Sequence, residues 1–113
     1  MIEAKLVLDA DSCIVRFEAS GHAGHGPRGE DIVCAAFTVL ARTAFETLAA
    51  LPGLEIAGSA PERGSLSFAV RRLPSELRER AAGIADFLQV GISGLEREYP
   101  GEIGLTIERY WRE

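Results

Sequence analysis

Residues 21–36 read Gly21-His22-Ala23-Gly24-His25-Gly26-Pro27-Arg28-Gly29-Glu30-Asp31-Ile32-Val33-Cys34-Ala35-Ala36, and the change of character inside this stretch sets the fold class. Up to Gly29 it holds four glycines and one proline in nine residues, a composition that supports neither helix nor strand. Glu30 and Asp31 then precede an apolar run, as acidic residues do at a helix start. That run extends from about Ile32 to Leu51 and stops at Pro52-Gly53. Arg42 and Glu46 lie near its middle, where a membrane span would carry a costly charged pair, so it reads as a helix of a soluble domain. Its apolar residues cover nearly the whole circumference, which predicts cover on more than one side, from a second sheet or a subunit partner.

Working outward, Ile2, Ala4, Leu6 and Leu8 alternate with Glu3, Lys5, Val7 and Asp9, the period of a strand. Asp9-Ala10-Asp11-Ser12 supplies turn residues. Cys13, Val15, Phe17 and Ala19 are expected to form one face of the returning strand. Beyond the helix, Leu54–Ala57 and Leu66–Val70 read as two strands joined by a Gly/Ser/Pro loop from Gly58 to Gly64. Ser75 is expected to cap a second helix, with Leu77, Ala81, Ile84, Leu88, Ile92 and Leu95 spaced by three and four. Pro100-Gly101 ends it, and Ile103, Leu105 and Ile107 alternate as a last strand that trails into Tyr110-Trp111. The order β-β-α-β-β-α-β with tight hairpins predicts an α+β domain, 1–113, with a mostly antiparallel sheet packed on two helices.

Composition narrows the function classes. The chain has 113 residues, 47% of them apolar, with 12 Lys+Arg against 17 Asp+Glu and a net charge of −5. Such a chain builds a core and is not disordered, and its acidic balance argues against direct nucleic-acid binding. Arg71-Arg72 and the Arg78/Arg80 cluster read as solvated, with Glu76 and Glu79 among them. Two cysteines are too few for a stapled secreted scaffold, and the chain opens on a strand rather than a signal peptide, so the expected compartment is the cytoplasm.

Nearly all the available nucleophile-and-base chemistry lies between His22 and Cys34. A thiol about one turn into a helix feels unpaired N–H groups and the positive dipole end, which favour thiolate. The same amides could hold the oxyanion of an acyl intermediate. His22 lies 12 residues earlier, and a glycine-rich loop can fold back to bring imidazole to sulfur, the pair a cysteine hydrolase needs. The bland reading of Cys34 is a small buried hydrophobe. Asp31 is an N-cap, an orienter for His22, or both; with no Asn in the chain and one Gln, Gln89, an Asn-type orienter is excluded. Cys13, His22, His25 and Cys34 also make a zinc-like donor set, but their spacing, C-x8-H-x2-H-x8-C, lacks a short C-x2-C turn, so no metal is expected. Gly24–Gly29 fits G-x-G-x-x-G only with a proline inside it, a poor phosphate cradle, and no cofactor is expected.

At Gly21-His22-Ala23 and Gly29-Glu30-Asp31-Ile32-Val33-Cys34-Ala35-Ala36 the sequence resembles the ribosomal-processing cysteine proteases of bacteria, the Prp family. The two motifs, their separation, the length and the element order all fit the whole chain. The resemblance implies a homodimeric endopeptidase that removes a short N-terminal extension from large-subunit ribosomal protein number twenty-seven. It implies a His–Cys dyad, with His22 as base and Cys34 as nucleophile, and Asp31 in support. It also implies a mobile loop over the peptide, matched here by Gly21, Ala23, Gly24, His25, Gly26 and Gly29. Thr38 stands where a serine is usual and keeps the hydroxyl, while His25 and Pro27 depart from the commoner pattern. The alternative is a non-catalytic ribosome-associated binding module of the same fold.

Overall fold

The computed structural model describes residues 1–21, 32–62 and 65–110. Strand β1 (Ile2–Leu8) buries Ile2, Ala4, Leu6 and Leu8 and exposes Glu3, as its alternation requires, but Val7, expected on the other face, is buried too. It pairs antiparallel with β2 (Ile14–Ser20), with Leu6 opposite Phe17. The register slips between Val7, opposite Arg16, and Leu8, opposite Ile14. This bulge overturns the expected face. Ile14 joins Phe17 and Ala19 inside, Val15 is half-buried, and Cys13 is buried just before the strand instead of within it.

Helix α1 (Ile32–Ala49) buries Val33, Cys34, Phe37, Ala41, Ala44 and Leu48, a stripe at spacings of three and four apart from one adjacent pair. Rings lock this stripe to the sheet: Phe17 lies 5.5 Å from Phe68 and 6.2 Å from Phe37, and Phe45 lies 5.5 Å from Phe68, all in tilted arrangements. Cover on a second side comes from α2 (Arg78–Glu98), where Leu40 of α1 lies against Gly91, and not from the second sheet that was one of the two expected sources. Ile32 and Val39 nevertheless remain exposed.

Strand β3 (Glu55–Glu62) runs through most of the segment read as a loop. It is an edge strand, and Pro61, which has no N–H, falls where its register with the next strand slips, between Ser59 and Glu62. Gly58, at φ +143°, lets it approach the backbone of Ser67 and Phe68 on β4 (Ser65–Arg72), where a Cβ would collide.

Ser75 does not cap α2. It opens a 3-10 turn (Ser75–Leu77), its hydroxyl lies 3.4 Å from Glu76 Oε2, and no side chain caps the helix that follows. Strand β5 (Ile103–Arg109) returns parallel to β1, giving one sheet of order β3-β4-β2-β1-β5, antiparallel at every other pairing. Its outward Leu105 amide donates to Glu96 Oε2 at 3.0 Å, which blunts that edge. Tyr110 continues the edge by donating its N–H to the Leu8 carbonyl, with its ring half exposed.

Candidate active site

Strand β2 delivers the chain to the site through Gly21. This residue has φ +96°, and a Cβ on it would overlap the carbonyl oxygen of Met1, so the strand can leave the sheet here only as glycine. Helix α1 begins at Ile32. The expected residues His22, Ala23, Gly24, His25, Gly26, Gly29 and Asp31 fall between these two points and lie outside the described residues.

Cys34 is the third residue of α1 and is 1% exposed. It lies in the first described turn of α1. Thr38, expected in a supporting role, makes a helix back-bond: its Oγ1 donates to the Cys34 carbonyl at 2.7 Å, as Thr47 does to Thr43. That back-bond fixes the local helix geometry under the thiol and leaves the sulfur itself to other contacts.

The other thiol sits in a different setting. Asp9 Oδ1 accepts the N–H groups of Asp11 and Cys13, at 2.9 and 3.0 Å, and holds the turn in which Ser12 takes φ +65°. Arg78 closes on this turn with Nη2 2.7 Å from Asp9 Oδ2 and 3.0 Å from Asp11 Oδ2. Half of the pair read as a solvated cluster therefore ties the first hairpin to α2, while Arg80 stays exposed. Burial raises the Asp9 pKa, but the bonds from Arg78, Cys13 and Asp11 outweigh it and bring the carboxyl below its usual range. Cys13 donates its thiol to the Arg78 carbonyl at 3.3 Å. Burial, with help from Asp9, pushes that thiol upward against the opposing pull of Arg78. No sequence pattern announced the Asp9–Arg78–Asp11 clamp, since it joins residues almost seventy positions apart.

Comparison with known proteins agrees with this architecture. A family model for cysteine protease Prp matches residues 1–104. The ribosomal processing cysteine protease Prp of Bacillus subtilis is 29% identical over 108 residues, covering 94% of this chain and 96% of the relative. The essential ribosomal processing protease Prp from S. aureus, solved with a covalently linked product peptide, superposes with a TM-score of 0.80 at 21% identity, over 96% of this chain and 100% of that one. The same S. aureus protease with a substrate peptide gives 0.75 at 20% identity and the same coverage. At those identities the structures testify to a shared fold. With the family model spanning nearly its whole length, the chain belongs to the Prp family of cysteine proteases.

Proposed function

We propose that this chain is a cysteine endopeptidase that removes the N-terminal extension of a large-subunit ribosomal protein with Cys34 as nucleophile and His22 as general base. The observation that carries the assignment is the contrast between the two thiols. A cysteine protease needs a sulfur that can bear negative charge, and the chain offers two. Cys13 is held by a carbonyl, and burial first and Asp9 second push its thiol upward, which keeps the proton on sulfur. Cys34 lies at the amide-rich start of α1. The peptide as substrate follows the S. aureus relative, which was solved with substrate and product peptides.

In this reading Cys34 Sγ gives its proton to His22 and attacks the scissile carbonyl carbon. The carbonyl oxygen becomes an oxyanion held by backbone amides of the helix start. Collapse of the intermediate breaks the C–N bond, and His22 returns the proton to the departing amine, leaving a thioester. Water, deprotonated by His22, then hydrolyses the thioester and restores the thiol. Asp31 supports His22, and the glycines from Gly21 to Gly29 fold over the peptide. Because Cys34 is 1% exposed, the reading requires access to the sulfur to open when peptide binds. The free thiols suit the cytoplasm, where the protein acts as a homodimer without metal or cofactor.

Mass spectrometry of a peptide spanning the extension of the host's ribosomal protein tests this. Wild type cleaves it at one bond, and Cys34→Ala and His22→Ala each lose at least about 1,000-fold in kcat/KM. Undiminished cleavage by either variant overturns the dyad.

A further inference from the structure

One end of the sheet collects features that the sequence holds far apart. Strand β2 lies in the middle of the strand order, with α1 over β3 and β4 on one side and α2 against β5 on the other. The end of β2 pairs with the start of β4, at Ser20 and Ser65. Helix α1 leaves at the opposite end, where Arg72 donates to the Gly53 carbonyl at 3.0 Å, so its first turn, with Cys34, stands where β2 finishes. Helix α2 runs the other way, from the Arg78 clamp beside Asp9 to that same end, 21 residues later. There the chain turns into β5. The Glu102 N–H donates to the Tyr99 carbonyl at 3.1 Å, and the Glu102 carbonyl accepts the Ile2 N–H at 2.9 Å, so the main chain of Glu102 is fixed on both sides. Its Oε2 is shut off from water, whereas Glu3 and Glu98 near the same end are exposed. A carboxylate oxygen withdrawn from solvent demands a donor from the protein.

The register brings that carboxylate within reach of the β2 exit. Ile2 stands opposite Ile103 on β5, and Gly21 lies against the Ile2 Cα and the Met1 carbonyl on the other side. Glu102 is one residue before Ile103, and His22 is one residue after Gly21. Two strand spacings are about 10 Å, a distance that a glutamate and a histidine side chain span with a hydrogen bond between their tips. We propose that Glu102 is the positioning residue of the dyad, its carboxylate accepting a hydrogen bond from the His22 ring nitrogen that does not serve Cys34. The proposal rests on the protease reading given above and adds a third member to it. Cys34, His22 and Glu102 then follow one another across this end of the sheet, supplied by α1, the β2 exit and the turn into β5. The carboxylate holds one tautomer, which leaves the second nitrogen able to take the sulfur's proton, and it stabilises the imidazolium that forms. Glu102 itself gains and loses no proton in the cycle. Asp31 then lends its support from the start of α1, where an acidic residue suits the helix dipole.

Proton NMR titration of the imidazole rings tests the contact on the full chain without any substrate. In Cys34→Ala protein, where His22 has no thiol beside it, adding Glu102→Gln moves the His22 midpoint down by about one pH unit and leaves that of His25 in place. Glu102→Ala moves it the same way, so the lost charge and not the new amide is responsible. Glutamine keeps the size of the side chain, and thermal melts confirm that the variant is folded. With Cys34 present, Glu102→Gln lowers kcat at least about 10-fold while KM stays within about two-fold. An unmoved His22 midpoint in both folded variants overturns the proposal, as does a midpoint that Asp31→Asn lowers and Glu102→Gln does not. A lowered midpoint with unchanged kcat overturns the positioning role. A lowered midpoint in a protein whose wild type cleaves no peptide overturns the protease reading and leaves the contact between Glu102 and His22 standing.

Discussion

Cys13 and Cys34 are equally buried, at 1% exposure each, yet the two regions around them present different groups. Around Cys13 the fold gathers acceptors: the Arg78 carbonyl, and the carboxylates of Asp9 and Asp11 on either side of a guanidinium. Around Cys34 it presents the first turn of a helix, whose amides are donors. Burial is the first cause that pushes the Cys13 thiol upward, with Asp9 adding to it.

The sharpest way to break this contrast is at the exit from β2. Gly21→Val forces a β-branched side chain into φ +96° and against the Met1 carbonyl. It is expected to lower stability by about 3 kcal/mol, or at least about 10 °C in a thermal melt of a chain this size, and to abolish peptide cleavage. Wild-type stability would show that the strand end relaxes freely.

A smaller effect is expected at the other thiol. Cys13→Ala leaves a small cavity and removes the thiol's bond to the Arg78 carbonyl, which costs about 1–2 kcal/mol in a urea titration, while kcat/KM stays within about two-fold of wild type. Loss of cleavage in a folded Cys13→Ala protein would exchange the two assignments. The raised thiol also has a signature of its own. Its contribution is complete below about pH 8.5 and is lost as pH rises through the folded value, so the variant should flatten the alkaline decline in stability.

The smallest effect lies in the clamp. Asp9→Asn weakens the bonds to Arg78, Asp11 and Cys13 and costs about 1 kcal/mol near pH 7. Because the folded carboxyl titrates below its unfolded value, its contribution is complete above about pH 4 and disappears as pH falls through the folded value. Melting curves of wild type and variant should therefore converge in acid. A gap that persists at pH 2 would mean that Asp9 acts by shape instead of charge.

Much of this fold was legible in the sequence. The strand at Ile2–Leu8 and the apolar helix from Ile32 appear where they were expected. The misreadings share one cause, which is dependence on neighbours that a local pattern does not display. The bulge opposite Val7 turned Ile14 inward in place of Val15. The edge position of β3 let a Gly/Ser/Pro segment be a strand. Arg78 left its solvated row because two carboxylates waited in a distant turn. At the candidate site the motifs around His22 and Cys34 were legible because both lie within a short run of chain. The reason for Gly21 was not, since the obstacle is the carbonyl of Met1, twenty residues away.

Composition and period alone pointed to an α+β fold with a glycine-rich segment before a helix that carries a cysteine near its start, because local sterics and side-chain periodicity act over a few residues. Tertiary structure alone decided the parallel return of β5 to β1, the ring cluster that seats α1, and the different electrostatic settings of Cys13 and Cys34. Hydrogen-bond acceptors, rings and charges reach their partners through space, and their order along the chain does not contain those distances.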